Sequence, residues 1–217
     1  MCIRDRFKNI IRLRESEGVD FWWIDWQQRL TNNNLAGLGE TFWCNHVFYE
    51  DMRLNRPEHR PVIFHRWGGL GSHRYPIGFS GDTFATFPTL AFQPYFTATA
   101  SNVGFGYWGH DLGGHQHGNN DPELYLRWMQ YGVFSPLFRT HATNDPKIEM
   151  RIWKYPNFKD LLQTVKLRYE LMPYIYTAAR QAYDTGVSIC RPLYYDHPEE
   201  NNAYRLSLIH ISEPTRH

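Results

Sequence analysis

The sequence is poor in cysteine and contains no long apolar run, and both absences restrict the class of protein. The three cysteines, Cys2, Cys44 and Cys190, have neither the spacing of a zinc site nor that of a disulfide framework. No apolar run approaches the roughly 20 residues that a membrane-spanning helix needs. We therefore predict no metal site of this kind and no membrane as a partner.

An excess of charge of either sign is also missing. The chain has 23 basic and 22 acidic residues, and it has 20 of each once three arginines, Asp5 and Glu213 are removed with its two ends. A neutral chain lacks the basic surface that binds nucleic acid or an anionic membrane. We therefore predict no nucleic acid as a partner.

The two ends of the chain are related through their possible coding sequences. One nucleotide encoding of the start, ATGTGTATAAGAGACAG, has a reverse complement that begins by encoding Leu-Ser-Leu-Ile-His, the sequence of residues 206–210. We interpret residues 1–6 and 206–217 as translated sequencing adapter and exclude them from reasoning about the fold. On this interpretation residues 7–205 are an internal piece of a longer protein. The sequence then carries no information on a signal peptide, on localisation or on oligomeric state.

Aromatic residues are abundant, since they make up 17% of the chain and include 8 tryptophans and 14 tyrosines. In a neutral chain this excess suits a surface that stacks against sugars, and an aromatic core is the simpler alternative.

Short apolar runs alternate with helical patterns along the chain. The runs, which predict strands, cover residues 18–25, 60–67, 76–82, 102–111 and 132–141. Helical patterns lie between them at 39–54, 83–101 and 122–131, the last with Asp121 as N-cap and Pro122 in its first turn. Residues 158–183 then predict one long amphipathic helix that ends at Gly186. Such alternation favours a parallel sheet with crossover helices.

Polar residues stand at the carboxyl end of each predicted strand, namely Asp25, Arg66, Asp82, Asp111 and His141. An α/β barrel places its catalytic groups at these positions. A doubly wound open sheet also gathers ligands at strand ends, but it usually has a glycine-rich phosphate turn, which the runs here lack. We therefore predict a partial barrel over residues 7–186. The alternating, proline-containing pattern of residues 187–205 predicts the start of a C-terminal β domain.

Asp25 and Asp82 are isolated carboxylates in aromatic surroundings, as in "DFWWIDWQQ" and "YPIGFSGDTF". Cleavage of a sugar acetal typically uses two carboxyl groups, one ionised and one protonated, across the scissile bond. Contact with arginine and burial among apolar groups keep two such groups in different protonation states. Taken singly, each aspartate could instead be a turn or cap residue, and Arg66 could be a structural ion-pair partner.

Five motifs together resemble glycoside hydrolase family 31, the α-glucosidase and α-xylosidase family, over residues 7–205. They occur in the family's order as "WWIDW", "FHRW", "GSHRYPIGFSGD", "GHDLGGH" and "SPLFRTH". The resemblance implies that Asp25 is the nucleophile, that Asp82 is the acid/base and that Arg66 and His141 hold sugar hydroxyls. It also implies a sugar-binding role for Asp111 and a pocket at subsite −1 lined by three aromatic residues, Trp23, Trp26 and Phe79.

By the same resemblance the whole protein would be a retaining exo-α-glycosidase, with α-glucosidase as the first candidate. Its substrate would be an oligosaccharide or α-glycoside, and it would need no cofactor. The five runs would be about strands 4–8 of an eight-stranded barrel, so we expect the chain alone to be inactive. The chain departs from the family at Trp26-Gln27-Gln28, where many members have Met-Asn-Glu, at Phe79, where many have Trp, and at His115, commonly Phe. These departures bear on the choice of substrate.

Four alternatives remain open at this point. His110, His115 and His117 with Asp111 could bind zinc, although a glycine-rich loop positions ligands poorly. A carbohydrate-binding protein without catalysis would keep the aromatic residues but has no need of both carboxylates. An amylase-type barrel of another family is a third possibility. The transglucosylases and lyases of family 31 share the same residues and form the fourth.

Overall fold

The computed structural model describes residues 3–25, 37–66 and 69–205. Four short parallel strands form one sheet in the order β1-β2-β3-β4. Their bounds are Trp22–Ile24 (β1), Ile63–Arg66 (β2), Ile77–Phe79 (β3) and Tyr107–Gly109 (β4). A parallel sheet whose spatial order follows the chain is the arrangement expected of part of a barrel. The predicted α/β fold is therefore confirmed.

The register of the sheet aligns the carboxyl ends of the strands. Ile24 pairs with His65, and Arg66 pairs with Phe79, which in turn pairs with Gly109. The residues that follow these pairs therefore leave the sheet at one edge. This is the edge at which the sequence predicts the functional residues.

Helices flank the sheet and connect its strands. Their bounds are Ile3–Arg6 (α1), Arg12–Ser16 (α2), Glu40–Asn55 (α3), Phe87–Thr99 (α4), Pro122–Gly132 (α5), Phe158–Glu170 (α6) and Met172–Thr185 (α7). Residues 3–6 form the short helix α1, and a π-helical segment, Phe7–Ile11, joins it to α2. Their origin as adapter stays a prediction, and residues 1–2 and 206–217 lie outside the described residues.

Capping side chains set the starts of two helices, one as predicted and one later. Asp121 accepts hydrogen bonds from the backbone N–H groups of Glu123 and Leu124, at 2.9 and 3.1 Å, and so caps α5 as predicted. The start of α4 lies four residues later than predicted, because Thr86 is its N-cap and accepts a hydrogen bond from Thr89. None of the described helices has both the length and the apolar character needed to cross a membrane.

The prediction of one long helix after residue 157 is wrong. The structure has two helices, α6 and α7, which meet at Leu171. Pro173 explains the break, because a proline has no N–H to donate to the preceding turn and is tolerated in the first turn of a helix, where it stands in α7. The predicted helix end at Gly186 is confirmed, since Gly186 caps α7 in the left-handed conformation with φ 74°.

The fifth apolar run, residues 132–141, does not form a strand. Its one described ladder contact is an isolated parallel bridge between Leu112 and Thr140. The carbonyls of Val133, Ser135 and Pro136 instead accept hydrogen bonds from the guanidinium of Arg168, at 2.8, 2.5 and 2.9 Å. A side chain on α6 therefore binds the carbonyls at the C-terminal end of α5 and in the turn that follows it.

Replacement of Arg168 by methionine is expected to lower the free energy of unfolding of the complete protein by about 3 kcal/mol or more. The change keeps much of the apolar volume but leaves three buried carbonyls without their charged donor, and each such bond contributes about 1.5–3 kcal/mol. Arg180→Met on α7 is the matched control, because Arg180 makes an exposed ion pair with Asp184 and such pairs contribute about 1 kcal/mol at most. Chemical denaturation measures both, and equal midpoints for the two variants would contradict the assignment.

Three apolar clusters lie among the described residues, and the smallest contains Phe105 and Trp108. The largest one surrounds Trp128 of α5, which is fully buried, with Leu112, Tyr125 and Leu161. The second packs Met52 of α3 against Ile24 and Ile63 of the sheet. Gly78 in β3 allows close packing on this face, because a Cβ there would lie 2.7 Å from the ring of Phe105.

Residues 187–205, predicted to begin a β domain, contain two 3-10 turns, Leu193–Tyr195 and Asn201–Tyr204. No strand lies among these described residues. The boundary at residue 187 and the β domain itself stay predictions.

Candidate active site

The carboxyl edge of the sheet brings together most of the residues that the sequence predicts to be functional. Asp25 follows β1, Arg66 ends β2 and Phe79 ends β3. Asp82 and Asp111 lie in the segments just after β3 and β4. Trp26 lies outside the described residues.

A single guanidinium joins the two predicted catalytic carboxylates. Nε of Arg66 donates to Oδ1 of Asp25, and Nη2 donates to Oδ1 of Asp82, each at 2.5 Å. The side chain of Arg66 is 11% exposed, against 31% for Asp25 and 19% for Asp82. The side chain of Arg66 is therefore mostly buried and binds both carboxylates, and each carboxylate stays partly exposed to solvent.

Aromatic rings lie next to the guanidinium of Arg66. Trp23 is 38% exposed and stacks on Phe64, with 5.9 Å between the ring centroids. Phe79 is fully buried, lies edge-on to Trp23 and places its ring 5.2 Å from the guanidinium carbon of Arg66. Trp23 is therefore partly exposed next to Arg66, whereas Phe79 is buried against the arginine.

Asp111 is wholly buried, and a second arginine holds it. Nη1 of Arg139 donates to Oδ1 of Asp111 at 2.5 Å. Burial raises the pKa of Asp111 to about 6, and the positive charge of Arg139 opposes that rise. The guanidinium of Arg139 also lies over the ring of Trp23, at 4.3 Å from its centroid. Arg139 therefore contacts both the buried carboxylate of Asp111 and the ring of Trp23.

His141 lies beside the same aromatic face. Its ring meets Trp23 edge-on at 5.1 Å and lies 5.0 Å from the ring of His115. Burial lowers the pKa of His141 to about 4, with a further lowering by the charge of Arg139. The imidazole of His141 is therefore neutral near pH 7 and can both donate and accept a hydrogen bond.

The three histidines that suggested zinc do not come together. His110 is buried against Trp128 and Tyr131, and burial lowers its pKa to about 3. His117 packs edge-on against Phe84. A different group, Asp111, His115 and His141, places one possible ligand atom each within 4.8 Å of the others. The guanidinium of Arg139 on Asp111 puts a positive charge at this position, which opposes the binding of a metal cation.

Two residues of the site were not predicted for their present roles. Arg139 stands two positions before His141, and alternate residues of an extended segment face the same side, so this spacing was the available signal. His115 was noted only as a departure from the family and as a possible zinc ligand. Its position between two carboxylates depends on how two loops pack, which no local pattern shows.

The arrangement suits reactions that need two carboxyl groups close together at one edge of a sheet, since Arg66 binds both Asp25 and Asp82. The exposed ring of Trp23 and the neutral imidazole of His141 supply an apolar face and a hydrogen-bonding group. These are the usual elements of a pocket for one sugar ring.

Known proteins of one family are similar to this chain. The sequence model of the glycosyl hydrolases family 31 TIM-barrel domain matches residues 3–178. An α-xylosidase of Saccharolobus solfataricus is 36% identical over 223 aligned positions, which cover 93% of this chain and 30% of the relative. α-Glucosidase 2 of Bacillus thermoamyloliquefaciens is 31% identical over 166 residues, 76% of this chain and 21% of the relative.

A solved structure gives the same result for the fold. The chain superposes on a family 31 dextranase of Flavobacterium johnsoniae complexed with glucose, with a TM-score of 0.81 and 26% identity. The superposition covers 94% of this chain and 28% of the dextranase. The chain therefore spans less than a third of each of these three proteins.

Proposed function

The chain belongs to glycosyl hydrolase family 31, whose TIM-barrel domain it matches over residues 3–178, and we propose that the protein from which it comes hydrolyses α-glycosidic bonds with retention of configuration. An α-glucosidase is the first candidate. The observation that carries the proposal is the pair of carboxylates, Asp25 and Asp82, held by Arg66 at the carboxyl edge of the sheet. Barrel enzymes place their chemistry at this edge.

In the proposed first step Asp25 attacks the anomeric carbon while Asp82 gives its proton to the leaving oxygen. The glycosidic C–O bond breaks, and a covalent glycosyl ester forms on Asp25. In the second step Asp82, now a carboxylate, takes a proton from water, and the water oxygen displaces Asp25. Two inversions at one carbon give net retention. Arg66 keeps the two carboxylates in place during both steps.

The remaining residues are proposed to bind the sugar. His141 and Arg66 can hydrogen-bond hydroxyl groups, and the partly exposed ring of Trp23 can contact the C–H groups of the sugar. We keep Trp26, Phe79 and Asp111 as predicted members of the pocket. Burial gives Phe79 and Asp111 a supporting position beneath Arg66 and Arg139.

The complete protein is expected to release the α-anomer first from an α-glucoside. Proton NMR of the earliest product distinguishes the anomers before mutarotation mixes them. A heat-inactivated sample serves as the control for spontaneous hydrolysis. A β-anomer as the first product would exclude the retaining mechanism, and no hydrolysis of any α-glycoside would favour a binding protein.

An α-xylosidase is the second candidate. It is favoured by the α-xylosidase of Saccharolobus solfataricus, which aligns with 93% of this chain. Aryl α-glucosides and α-xylosides with the same leaving group separate the two candidates by their kcat/KM values. The same assay with an added acceptor sugar detects transglycosylation as a new disaccharide.

A further inference from the structure

Arg139 contacts one buried carboxylate and three aromatic rings at the carboxyl edge of the sheet. Its Nη1 donates to Oδ1 of Asp111 at 2.5 Å, and Asp111 is wholly buried. Its guanidinium carbon lies 4.3 Å from the ring centroid of Trp23, 5.1 Å from that of Phe64 and 5.6 Å from that of Phe79. The guanidinium is therefore held by an ion pair and by its packing against the rings.

The ion pair between Arg139 and Asp111 is also fixed through the backbone. The N–H of Leu112, the residue after Asp111, donates to the carbonyl of Arg139 at 3.1 Å. Leu112 is fully buried and forms a parallel bridge with Thr140. The two segments that carry the charged groups are therefore bound to each other, so the guanidinium has a fixed position relative to the carboxylate.

Trp23 is the closest of the three rings to Arg139, and it is partly exposed. It is the middle residue of β1, two positions before Asp25, and 38% of it is exposed. Phe64 stacks on this ring at 5.9 Å, and His141 meets it edge-on at 5.1 Å. A partly exposed side chain can change its rotamer, and a cation fixed over the ring restricts that change.

We propose that Arg139 is a positioning residue, which holds the ring of Trp23 beside the nucleophile Asp25 and so fixes a surface that the sugar contacts. The proposal rests on the proposed glycosidase function and adds a residue to it. Arg139 acts through Trp23 and does not touch the sugar itself. A planar guanidinium suits this role, because it can stack on an indole ring while one of its nitrogens donates to a carboxylate.

A lysine at position 139 separates this role from a purely electrostatic one. The charge of Arg139 adds to the effect of burial in lowering the pKa of His141. The same charge opposes the rise in the pKa of Asp111 that burial causes. Lysine keeps a positive charge near both groups but is a point charge without the flat surface that stacks on Trp23. A loss of sugar binding in Arg139→Lys therefore reports the position of the ring.

Arg139→Lys in the complete protein is expected to raise KM for an aryl α-glycoside by about three- to tenfold, the range that a cation–π contact contributes. kcat should change by less than about twofold, because the two carboxylates bound by Arg66 are unchanged and only binding common to the ground and transition states is weakened. The substrate is the aryl α-glucoside or α-xyloside that the wild type hydrolyses faster. Arg127→Lys is the matched control, because Arg127 is 55% exposed and pairs with Glu123 on α5.

A double-mutant cycle with Trp23→Leu tests whether Arg139 acts through the ring. In the Trp23→Leu protein, Arg139→Lys should change KM by less than about twofold, because the ring that Arg139 holds is gone. An equal rise of KM in both backgrounds overturns the proposal, and so does an unchanged KM in the wild-type background. A loss that falls on kcat alone also overturns it, since it indicates an effect on the catalytic carboxylates and not on sugar binding.

A second readout does not depend on activity. Hydroxyl radicals oxidise exposed tryptophan side chains, and tandem mass spectrometry of the peptides gives the rate at Trp23. This rate should rise by about twofold or more in Arg139→Lys, because a ring without its stacking partner changes rotamer more often. Trp153, which is 65% exposed, is the internal control and should keep its rate. An unchanged rate at Trp23 overturns the proposal.

Melting temperatures show whether the variants fold. If Arg139→Lys does not fold, Arg139→Gln is measured with the same expected results, because its amide can donate to Asp111 but carries no charge over the ring. A wild-type protein that hydrolyses no α-glycoside, but in which Arg139→Lys speeds the oxidation of Trp23, would reject the proposed function and keep the positioning of Trp23 by Arg139.

Discussion

Replacement of Asp25 by alanine in the complete enzyme is expected to lower kcat/KM by about 10⁴-fold or more, whatever the leaving group. In the proposed mechanism this carboxylate supplies the oxygen of the covalent ester, and about 1.4 kcal/mol of transition-state stabilisation is lost for each factor of ten. Because Arg66 would keep its bond to Asp82, the rest of the site should keep its geometry. Steady-state kinetics with an alkyl and a dinitrophenyl α-glucoside measure the effect.

Azide gives this variant a distinct signature. A small anion that enters the space left by the carboxylate attacks the anomeric carbon once, so the glycosyl azide formed has the inverted, β configuration. Asp20→Ala is the matched control, because Asp20 stands five residues earlier with a side chain that is 87% exposed. An Asp25→Ala enzyme with substantial residual turnover of the alkyl glucoside would reject Asp25 as the nucleophile.

Replacement of Asp82 by alanine is expected to lower kcat/KM by about 10²–10⁴-fold for an alkyl α-glucoside. The loss should shrink to less than about tenfold for a dinitrophenyl glucoside, because dinitrophenolate leaves without a proton. The second step should then become slow, since no base activates the water. A burst of dinitrophenol followed by a slow steady state would report the accumulated ester on Asp25.

The two aspartate variants differ in the product that azide yields. In Asp82→Ala the ester on Asp25 still forms, so azide gives the retained, α-glycosyl azide. Asp184→Ala, on the exposed side of α7 at 46% side-chain exposure, controls for the loss of a surface carboxylate. Equal rescue of both catalytic variants by the activated leaving group would contradict the division of roles between Asp25 and Asp82.

Much of the site could be predicted because its signals are local. An apolar run followed by a single polar residue marks the end of a buried strand, and this pattern selected Asp25, Arg66 and Asp82. The parallel register then places such ends at one edge of the sheet, as the pairing of Arg66 with Phe79 shows. Capping signals are equally local, and they predicted the start of α5 at Asp121.

The errors in the fold arose where a distant side chain or a proline overrode the apolar pattern. The run at residues 132–141 reads as a strand, but the guanidinium of Arg168 binds its carbonyls. Residues 158–183 keep a helical period across Pro173, yet the chain begins a new helix there. The apolar periodicity of a sequence indicates which side chains can be buried together. It does not measure where the backbone hydrogen bonds go.

The sequence by itself determined the parallel α/β architecture, the family and the carboxylates at the strand ends, because each depends on residues that are near neighbours in the chain. Only the tertiary structure decided that one guanidinium joins Asp25 to Asp82 and that Arg139 lies between Asp111 and Trp23. It also decided that His115 lies next to Asp82. These contacts join side chains from separate strand ends and loops. Their distances depend on how the strands register and how the loops pack, and that information is absent from any short segment of sequence.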